Sequence, residues 1–405
     1  MELNQQTLDF IQAHTGKEVA RLTLQYAGKK IPEVDIPLAL TQIEARNKAG
    51  GKLPWLTDTP AFIFPDTLSA EQCTAQCVAD YHRLVAGAPE SLLDITCGLG
   101  IDAMTIGAGS SRCLACDISP AHAECARHNA ALRGLAHFEV RRTDSESLLK
   151  SLTPGERFSL IFADPARRSR SGSRTYALSD CSPDITALMP LISEHTDRLM
   201  VKVSPMLDVT KVMLQMPSIR HIHAVSLRGE CKELLLDCDM RRNSRGKVSF
   251  SAVDIDATGV PHIYSFADAD KGSCSEVPIA SATEIETAEW IFEPNASLMK
   301  FIHYAPLAGR WPGLRKMAAN TYLYVAEGPI PAGMPGRALR IKGMWNAYRH
   351  CAGKLPAQVN IVTRNFPDQP QLIKKKLKIK DGGDEFLYCC RSEDKRTRFL
   401  LCTTT

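Results

Sequence analysis

A short apolar strand ending in an acid, followed by two glycines within three residues, restricts a chain to few folds. The stretch Ser91-Leu-Leu-Asp94-Ile-Thr-Cys97-Gly98-Leu-Gly100-Ile-Asp-Ala-Met104 has that form. Leu92 and Leu93 read as the end of a buried strand, with Asp94 at its carboxyl end. Gly98 and Gly100 allow a sharp turn and admit a ligand against bare backbone. Residues 101–108 continue as a short apolar helix closed by Gly109. Strand, glycine turn and helix form the nucleotide-binding crevice of an open α/β sheet.

The pattern repeats downstream. Apolar strand runs at 112–117, 137–142, 158–163 and 198–203 alternate with helical segments, one of them opened by Ser119-Pro120 with proline at its first position. Residues 221–227 and 231–238 read as an antiparallel pair joined at Arg228-Gly229-Glu230. Five alternating units and a terminal hairpin predict a mostly parallel sheet, seven-stranded in all, with helices on both faces. Ahead of it, residues 1–88 read as a helical region. Its last helix is predicted to open at Ser69, with Gln72 completing a capping box, and to run to about residue 86. Beyond residue 240 a half-buried strand at 247–256 leads to a segment, 286–319, that reads mostly as helix broken by prolines. Short strands at 322–325, 338–342, 359–363 and 386–390 then alternate with a basic helix near 371–378, a small α+β arrangement. The expected division is 1–88, 89–240, 241–325 and 326–405.

Acids recur at the strand ends. Asp94 is joined by Asp117, Asp144 and Asp164, all expected on the ligand-bearing edge. Gly98-Leu-Gly100-Ile-Asp-Ala103 also fits a dinucleotide fingerprint, with Asp117 seventeen residues past Gly100, so an NAD-linked oxidoreductase is one reading. A carboxylate ahead of the glycines would repel a pyrophosphate but suits a cationic aminoacyl group, and the turn is longer than the tight one that seats a pyrophosphate. The chemistry therefore points to S-adenosylmethionine. Asp94, Cys97, Gly98 and Gly100 would take its aminoacyl end, Asp117 the ribose hydroxyls and Asp144 the adenine amino group. Asp164-Pro165 would face the methyl group. Methylating an exocyclic amine needs an acceptor for the N–H while the nitrogen lone pair turns to the methyl, and a carboxylate beside a rigid proline carbonyl supplies one. Ala166 and Arg167 stand where amino-methyltransferases of the Asp/Asn-Pro-Pro-aromatic type carry the second proline and the aromatic. Arg167, Arg168 and the basic run to Arg174 are then candidate substrate contacts.

Composition matters most in the tail. From Lys300 onward there are 19 Lys and Arg against 7 Asp and Glu, whereas the preceding residues carry 30 against 38. A basic tail on a mildly acidic body suits a polyanion. Arg364, Lys374, Lys375 and Lys378 lie in its densest part, with Trp345, Tyr348 and Phe366 near them, a mixture that suits RNA. The competing reading makes the aromatics core and the lysines a solvated face. Fourteen cysteines are scattered through apolar runs, without the second pair that zinc would need beside Cys113 and Cys116. No metal is expected, nor a membrane span, and with no export signal visible the expected compartment is the cytoplasm.

Leu92 to Met104, Ala163-Asp-Pro-Ala-Arg-Arg168, Val203-Ser-Pro-Met-Leu-Asp208 and Gly229-Glu-Cys-Lys-Glu-Leu234 together resemble bacterial class I S-adenosylmethionine-dependent methyltransferases that carry a THUMP-like domain. Glu293-Pro-Asn-Ala296, Arg364-Asn-Phe-Pro367 and Leu377-Lys-Ile-Lys-Asp-Gly-Gly-Asp384 resemble that family's ferredoxin-like and THUMP-like segments. The resemblance implies a Rossmann-like core at 89–240, a ferredoxin-like segment at 241–325 and a basic THUMP-like domain at 326–405. Because THUMP domains serve RNA-modifying enzymes, it also implies an RNA substrate. The core is distantly similar to cap guanine-N2 methyltransferases, although their Pro-Pro-Trp is absent. The expectation is methyl transfer to a nitrogen of an RNA base. The rivals are the NAD-linked oxidoreductase and an RNA-binding protein whose core has lost turnover.

Overall fold

The structure, a computed structural model, describes residues 3–167, 178–242, 246–267, 276–331 and 333–404. Two compact units emerge, one formed by 1–227, 232–246 and 255–261, the other by 228–231, 247–254 and 262–405.

The first unit opens with helices α1 (Gln5–His14), α2 (Val19–Tyr26) and α3 (Ile36–Ala49), which bury Phe10, Ile11, Leu22, Ala39 and Ile43 among themselves. An extended stretch follows, held almost entirely by side chains. Gln42 bonds both the amide and the carbonyl of Phe64, Asn129 does the same for Ile63, and Arg46 donates to the carbonyls of Pro60 and Phe62. Backbone groups with no sheet neighbour must be satisfied some other way, and here three buried polar residues do it. The predicted 69–86 helix is two helices, α4 (Thr67–Gln72) and α5 (Gln76–Ala86). Asp66, not Ser69, caps the first through the amide of Ser69 at 2.6 Å, and the chain breaks at Cys73, where Thr74 turns its hydroxyl to Asp102.

The alternation then proceeds as the sequence implied, through β1 (Ser91–Asp94), α6 (Ile101–Ile106), β2 (Arg112–Asp117), α7 (Pro120–Leu132), β3 (Phe138–Arg142), α8 (Ser145–Ser151) and β4 (Leu160–Ala163). Two-residue strands β5 (Ala166–Arg167) and β6 (Cys181–Ser182) pair with each other. Helix α9 (Ile185–His195), β7 (Arg198–Val203), α10 (Val209–Gln215), β8 (Ile219–Leu227) and β9 (Glu230–Asp239) complete the series. Seven strands of this unit lie side by side in one sheet, in the order β8-β9-β7-β4-β1-β2-β3. The pairs of β1 with β2 and β4, of β2 with β3, and of β4 with β7 are parallel, and β9 runs antiparallel to β7. The order of winding reverses at β1, with β2 on one side and β4 on the other, so the carboxyl ends of β1, β2 and β4 meet at a switch point where an α/β sheet binds ligands.

In the second unit β10 (Ser249–Ile255) and β11 (Pro261–Ala267) are neighbours, and Phe250 packs on Phe266, Phe301 and Tyr304 with ring centres 5.0–5.4 Å apart. Helix α11 (Ala282–Glu286) carries a full capping box between Ser281 and Glu284. The helix expected across 286–319 is instead β12 (Trp290–Pro294), two short helices, α12 (Ala296–Lys300) and α13 (Leu307–Arg310), and β13 (Arg315–Ala318). Strands β14 (Thr321–Ala326) and β15 (Gly336–Trp345) follow, then α14 (Tyr348–Cys351), β16 (Asn360–Arg364), α15 (Pro370–Leu377), β17 (Glu385–Arg391) and β18 (Thr397–Thr403). These strands form one sheet in the order β13-β14-β12-β15-β18-β17-β16. Both faces of its centre are buried. Tyr388, Cys390, Leu400 and Cys402 fill one core, and Leu387, Cys389, Phe399 and Leu401 the other, as the period of two requires. The thiols serve as small apolar groups.

Candidate active site at the carboxyl edge of the parallel strands

The turn after β1 ties three strands together. Asp94 is 1 % exposed and accepts from the Thr96 amide at 2.8 Å and, at 3.3 Å, from the Thr96 hydroxyl. The same hydroxyl oxygen accepts from the Asp164 amide at 2.6 Å, fixing the end of β4 to the end of β1. Cys97, also buried, donates its amide to the carbonyl of Cys116, and the Gly98 amide donates to Asp117 at 2.9 Å. The two glycines differ in purpose. Gly98 has φ +54° and open space where a side chain would begin. Gly100 has φ +77° but faces Ala126, Cys97 and Met104 at 3.5–3.6 Å, so it serves packing and the left-handed turn.

Asp117 ends β2 with its carboxylate held by the amides of Gly98 and Ser119 and by His122 at 3.5 Å. Burial alone would raise its pKa. Those hydrogen bonds prevail and hold it below the usual carboxylate range. His122 is in turn backed by Ser69 and Asp66. Ile118, the next residue, is 75 % exposed although large and apolar. Sequence reasoning passed over it, although an apolar residue directly after a strand-end acid is a readable signal. Asp144 is exposed and caps α8 through the Ser147 amide, while the residues beside it join the turn. Thr143 donates to the carbonyl of Asp117 and Ser145 to that of Ile95.

Asp164 and Pro165 follow β4 directly, Pro165 buried and Asp164 partly exposed. Because β4 and β7 run parallel with Ala163 beside Val201, Asp164 falls beside Lys202, and Lys202 Nζ donates to Asp164 Oδ2 at 2.6 Å and to Thr74 Oγ1 at 3.1 Å. The β7–β9 register sets Lys202 opposite Leu235, so Glu233, two residues back, shares its face. His82, with no exposed surface, bridges Glu233 through Nε2 and Asp102 through Nδ1, the latter at 2.7 Å, and Thr74 closes the chain with 2.6 Å to Asp102 Oδ2. Burial would discharge Lys202 and His82. Asp164, Asp102 and Glu233 outweigh it, so that the lysine pKa lies above its ordinary value and that of His82 rises to about 10, while Asp102 falls to about 2. Asp94 behaves oppositely, burial and the charges of Asp102 and Asp164 lifting it to about 8. From sequence alone Lys202 and Glu233 read equally as residues lining this edge or as plain exposed charges, and His82 reads as a packing residue, while Thr74 and Asp102 carry no signal.

Arg167 belongs to β5, and Arg168 with the basic run to Arg174 lies outside the described residues. In the second unit Arg364 pairs with Glu293, Lys374 with Asp381, and Lys375 and Lys378 are exposed. Trp345, Tyr348 and Phe366 pack into a core around Phe399, so the aromatics expected to interleave the lysines are structural. Among the described residues no group of three or more His, Cys, Asp or Glu side chains could hold a metal ion, and no helix is long and apolar enough to cross a membrane.

A parallel sheet of this order, with its glycine turn after β1 and acids at the following strand ends, is the Rossmann-like fold of class I methyltransferases. The chain is similar over its whole length, and over the whole of the other chain, to the crystal structure of a candidate methyltransferase from Porphyromonas gingivalis W83, at 25 % identity and a TM-score of 0.84. A family model described as THUMP domain-like matches residues 337–404. Two proteins of Mycobacterium tuberculosis, strains CDC 1551 and H37Rv, each described as an uncharacterized S-adenosylmethionine-dependent methyltransferase, are 31 % identical over 195 residues, which is 47 % of this chain. The chain spans about half the length of these curated relatives, 51 %. Its architecture is therefore a class I methyltransferase core joined to a THUMP-like domain.

Proposed function

We propose that this chain is an S-adenosylmethionine-dependent methyltransferase acting on a nitrogen of an RNA base, its basic THUMP-like domain holding the RNA. The observation that carries the reading is the convergence of Gly98, Asp117 and Asp164 through Thr96 and the turn, with Asp164-Pro165 following β4 at the same sheet edge. When bound, S-adenosylmethionine supplies a methyl group on a cationic sulfur, which leaves as S-adenosylhomocysteine while the amine proton passes to solvent. Asp117 accepts from the ribose hydroxyls, Ile118 covers the adenine and Asp144 accepts from its amino group. Asp94 supports the aminoacyl subsite through Thr96 and the turn, because its own carboxyl is enclosed. Asp164 and the carbonyl chain at Pro165 orient the substrate amine.

The RNA part of the reading rests on the THUMP-like match and on the exposed Lys375 and Lys378 of the basic tail. A cytoplasmic RNA is the expected substrate. Calorimetry with S-adenosylhomocysteine and with NAD tests the cofactor, and NAD binding alone would defeat it. Mass spectrometry of RNA nucleosides from cells with and without the protein tests the substrate. A methylated nucleoside lost with the protein supports RNA, and an unchanged profile rejects it.

A further inference from the structure

We propose that Lys202 is the positioning residue of the transfer step, holding Asp164 Oδ2 so that Oδ1 is presented to the N–H of the substrate. The assignment rests on the transfer reaction proposed above. It begins with an oddity of sequence, a lysine within the buried run Leu199-Met-Val-Lys-Val203, where an apolar residue would cost nothing to bury. Its side chain is 14 % exposed and that of Asp164 39 %, so the lysine stands behind the acid and the acid faces out. Among the described residues Asp164 Oδ1 makes no hydrogen bond, whereas Oδ2 is taken by Lys202 and the backbone amide by Thr96.

The groups behind Lys202 explain why it stays charged. Thr74 accepts its second hydrogen bond and is itself committed to Asp102, which His82 links to Glu233. A buried network of this kind is weak as a source of stability, since apolar packing often does as well. Its yield is geometric. It delivers one cation to one oxygen of the acid that meets the substrate. An ionised carboxylate is the stronger acceptor there, since protonation weakens the acceptor and adds an O–H donor that competes with the substrate N–H. The charged and titratable groups facing the Lys202–Asp164 pair are Asp102 from α6, Glu233 from β9, with His82 of α5 between those two acids, the Cys73 thiol after α4 and, through Thr96, Asp94 from β1.

The test compares wild type with K202M, K202R and T74V in transfer of tritiated methyl from S-adenosylmethionine to total RNA from cells lacking the protein, across pH 5 to 9. Alongside it, the Asp164 carboxyl is titrated by carbon NMR, its signal assigned with D164N. K202M is expected to lower kcat about a hundredfold, the size of a misplaced reacting group, with S-adenosylhomocysteine affinity kept within about threefold. Its acid limb of kcat should move to higher pH with the Asp164 titration, K202R should restore both, and T74V should shift them part of the way. T74V keeps the charge and carries the test if K202M does not fold. An Asp164 titration unmoved in the folded variants, or a kcat limb that stays in place, overturns the assignment. If wild type methylates no RNA, the proposed reaction fails on its own, and the Asp164 titration still decides whether Lys202 sets that carboxylate.

Discussion

Replacing His82 with leucine removes both hydrogen bonds of a ring that has no exposed surface, and leaves Asp102 and Glu233 facing each other's charge without a cation between them. The rise of the His82 pKa from 6.5 to about 10 corresponds to roughly 4–5 kcal/mol of preference for the charged ring in the folded state. Breaking a buried pair by deleting one partner costs about 3–5 kcal/mol in general, a separate route to the same size. The lowered pKa of Asp102 reports the same contact from the other side and is not added to it. For a unit of this size each kcal/mol moves Tm by about 2–4 °C, so H82L should melt about 10 °C or more below wild type at pH 6. Because folding raises the His82 pKa, its contribution is complete below pH 6.5 and drains away as pH climbs through about 10. Urea denaturation at pH 6, 8 and 10 should therefore show the gap between the two proteins closing with pH. A Tm difference under about 3 °C at pH 6, or a gap constant across that range, would refute the ion-paired histidine.

Four further outcomes follow from the geometry. Asn in place of Asp94 keeps an oxygen for Thr96 but cannot ionise, and since folding raises the Asp94 pKa from 3.8 to about 8, D94N should gain Tm on wild type as pH rises through that window in a melting series. Substituting alanine at Gly100 forces a Cβ into φ +77°, for about 1–2 kcal/mol of stability by urea titration, and a cost near zero would mean the turn relaxes. D117N and I118D should each weaken S-adenosylhomocysteine binding about tenfold or more in calorimetry, and retained affinity would remove both residues from the nucleoside subsite. Reversing Lys375 and Lys378 to glutamate should weaken RNA binding and flatten its salt dependence by about two phosphate contacts, while affinity equal to wild type at low salt would exclude this face.

How much of this was readable from the sequence depends on the reach of each contact. Strand ends in the first unit announced themselves because Leu92-Leu93, Leu114-Ala115 and Phe162-Ala163 are short apolar runs stopped by an acid, a local signal. The strand order carries no residue-level signal and comes from the winding of the parallel units in the fold. Strand β12 misled because Trp290-Ile-Phe-Glu-Pro294 is five residues long and flanked by helix-capping Ser281 and Asn295, so its type was set by β14 and β15 on either side. Strand β18 went unread for a related reason. With both faces buried, Phe399 to Cys402 is continuously apolar and shows no alternation.

The site shows the same division more sharply. Asp94, Asp117 and Asp164 could be found because a strand end is defined by the strand before it. The network that governs Asp164 has no such signature. His82 and Glu233 are 151 residues apart, Lys202 and Thr74 are 128 apart, and no local pattern links the members of either pair. Only the register of β9 on β7 and of β7 on β4 makes them one object. What the sequence did offer was a lysine and a glutamate inside otherwise buried strands, two residues whose burial must be compensated by something. That requirement is itself informative. A charge in a strand interior implies a partner on the same face of an adjoining strand or the helix above it, so Lys202 and Glu233 together call for a residue able to mediate between acids. The lone histidine of α5 meets that demand, and a reading that began from compensation rather than from motif would have reached His82 before the fold was known.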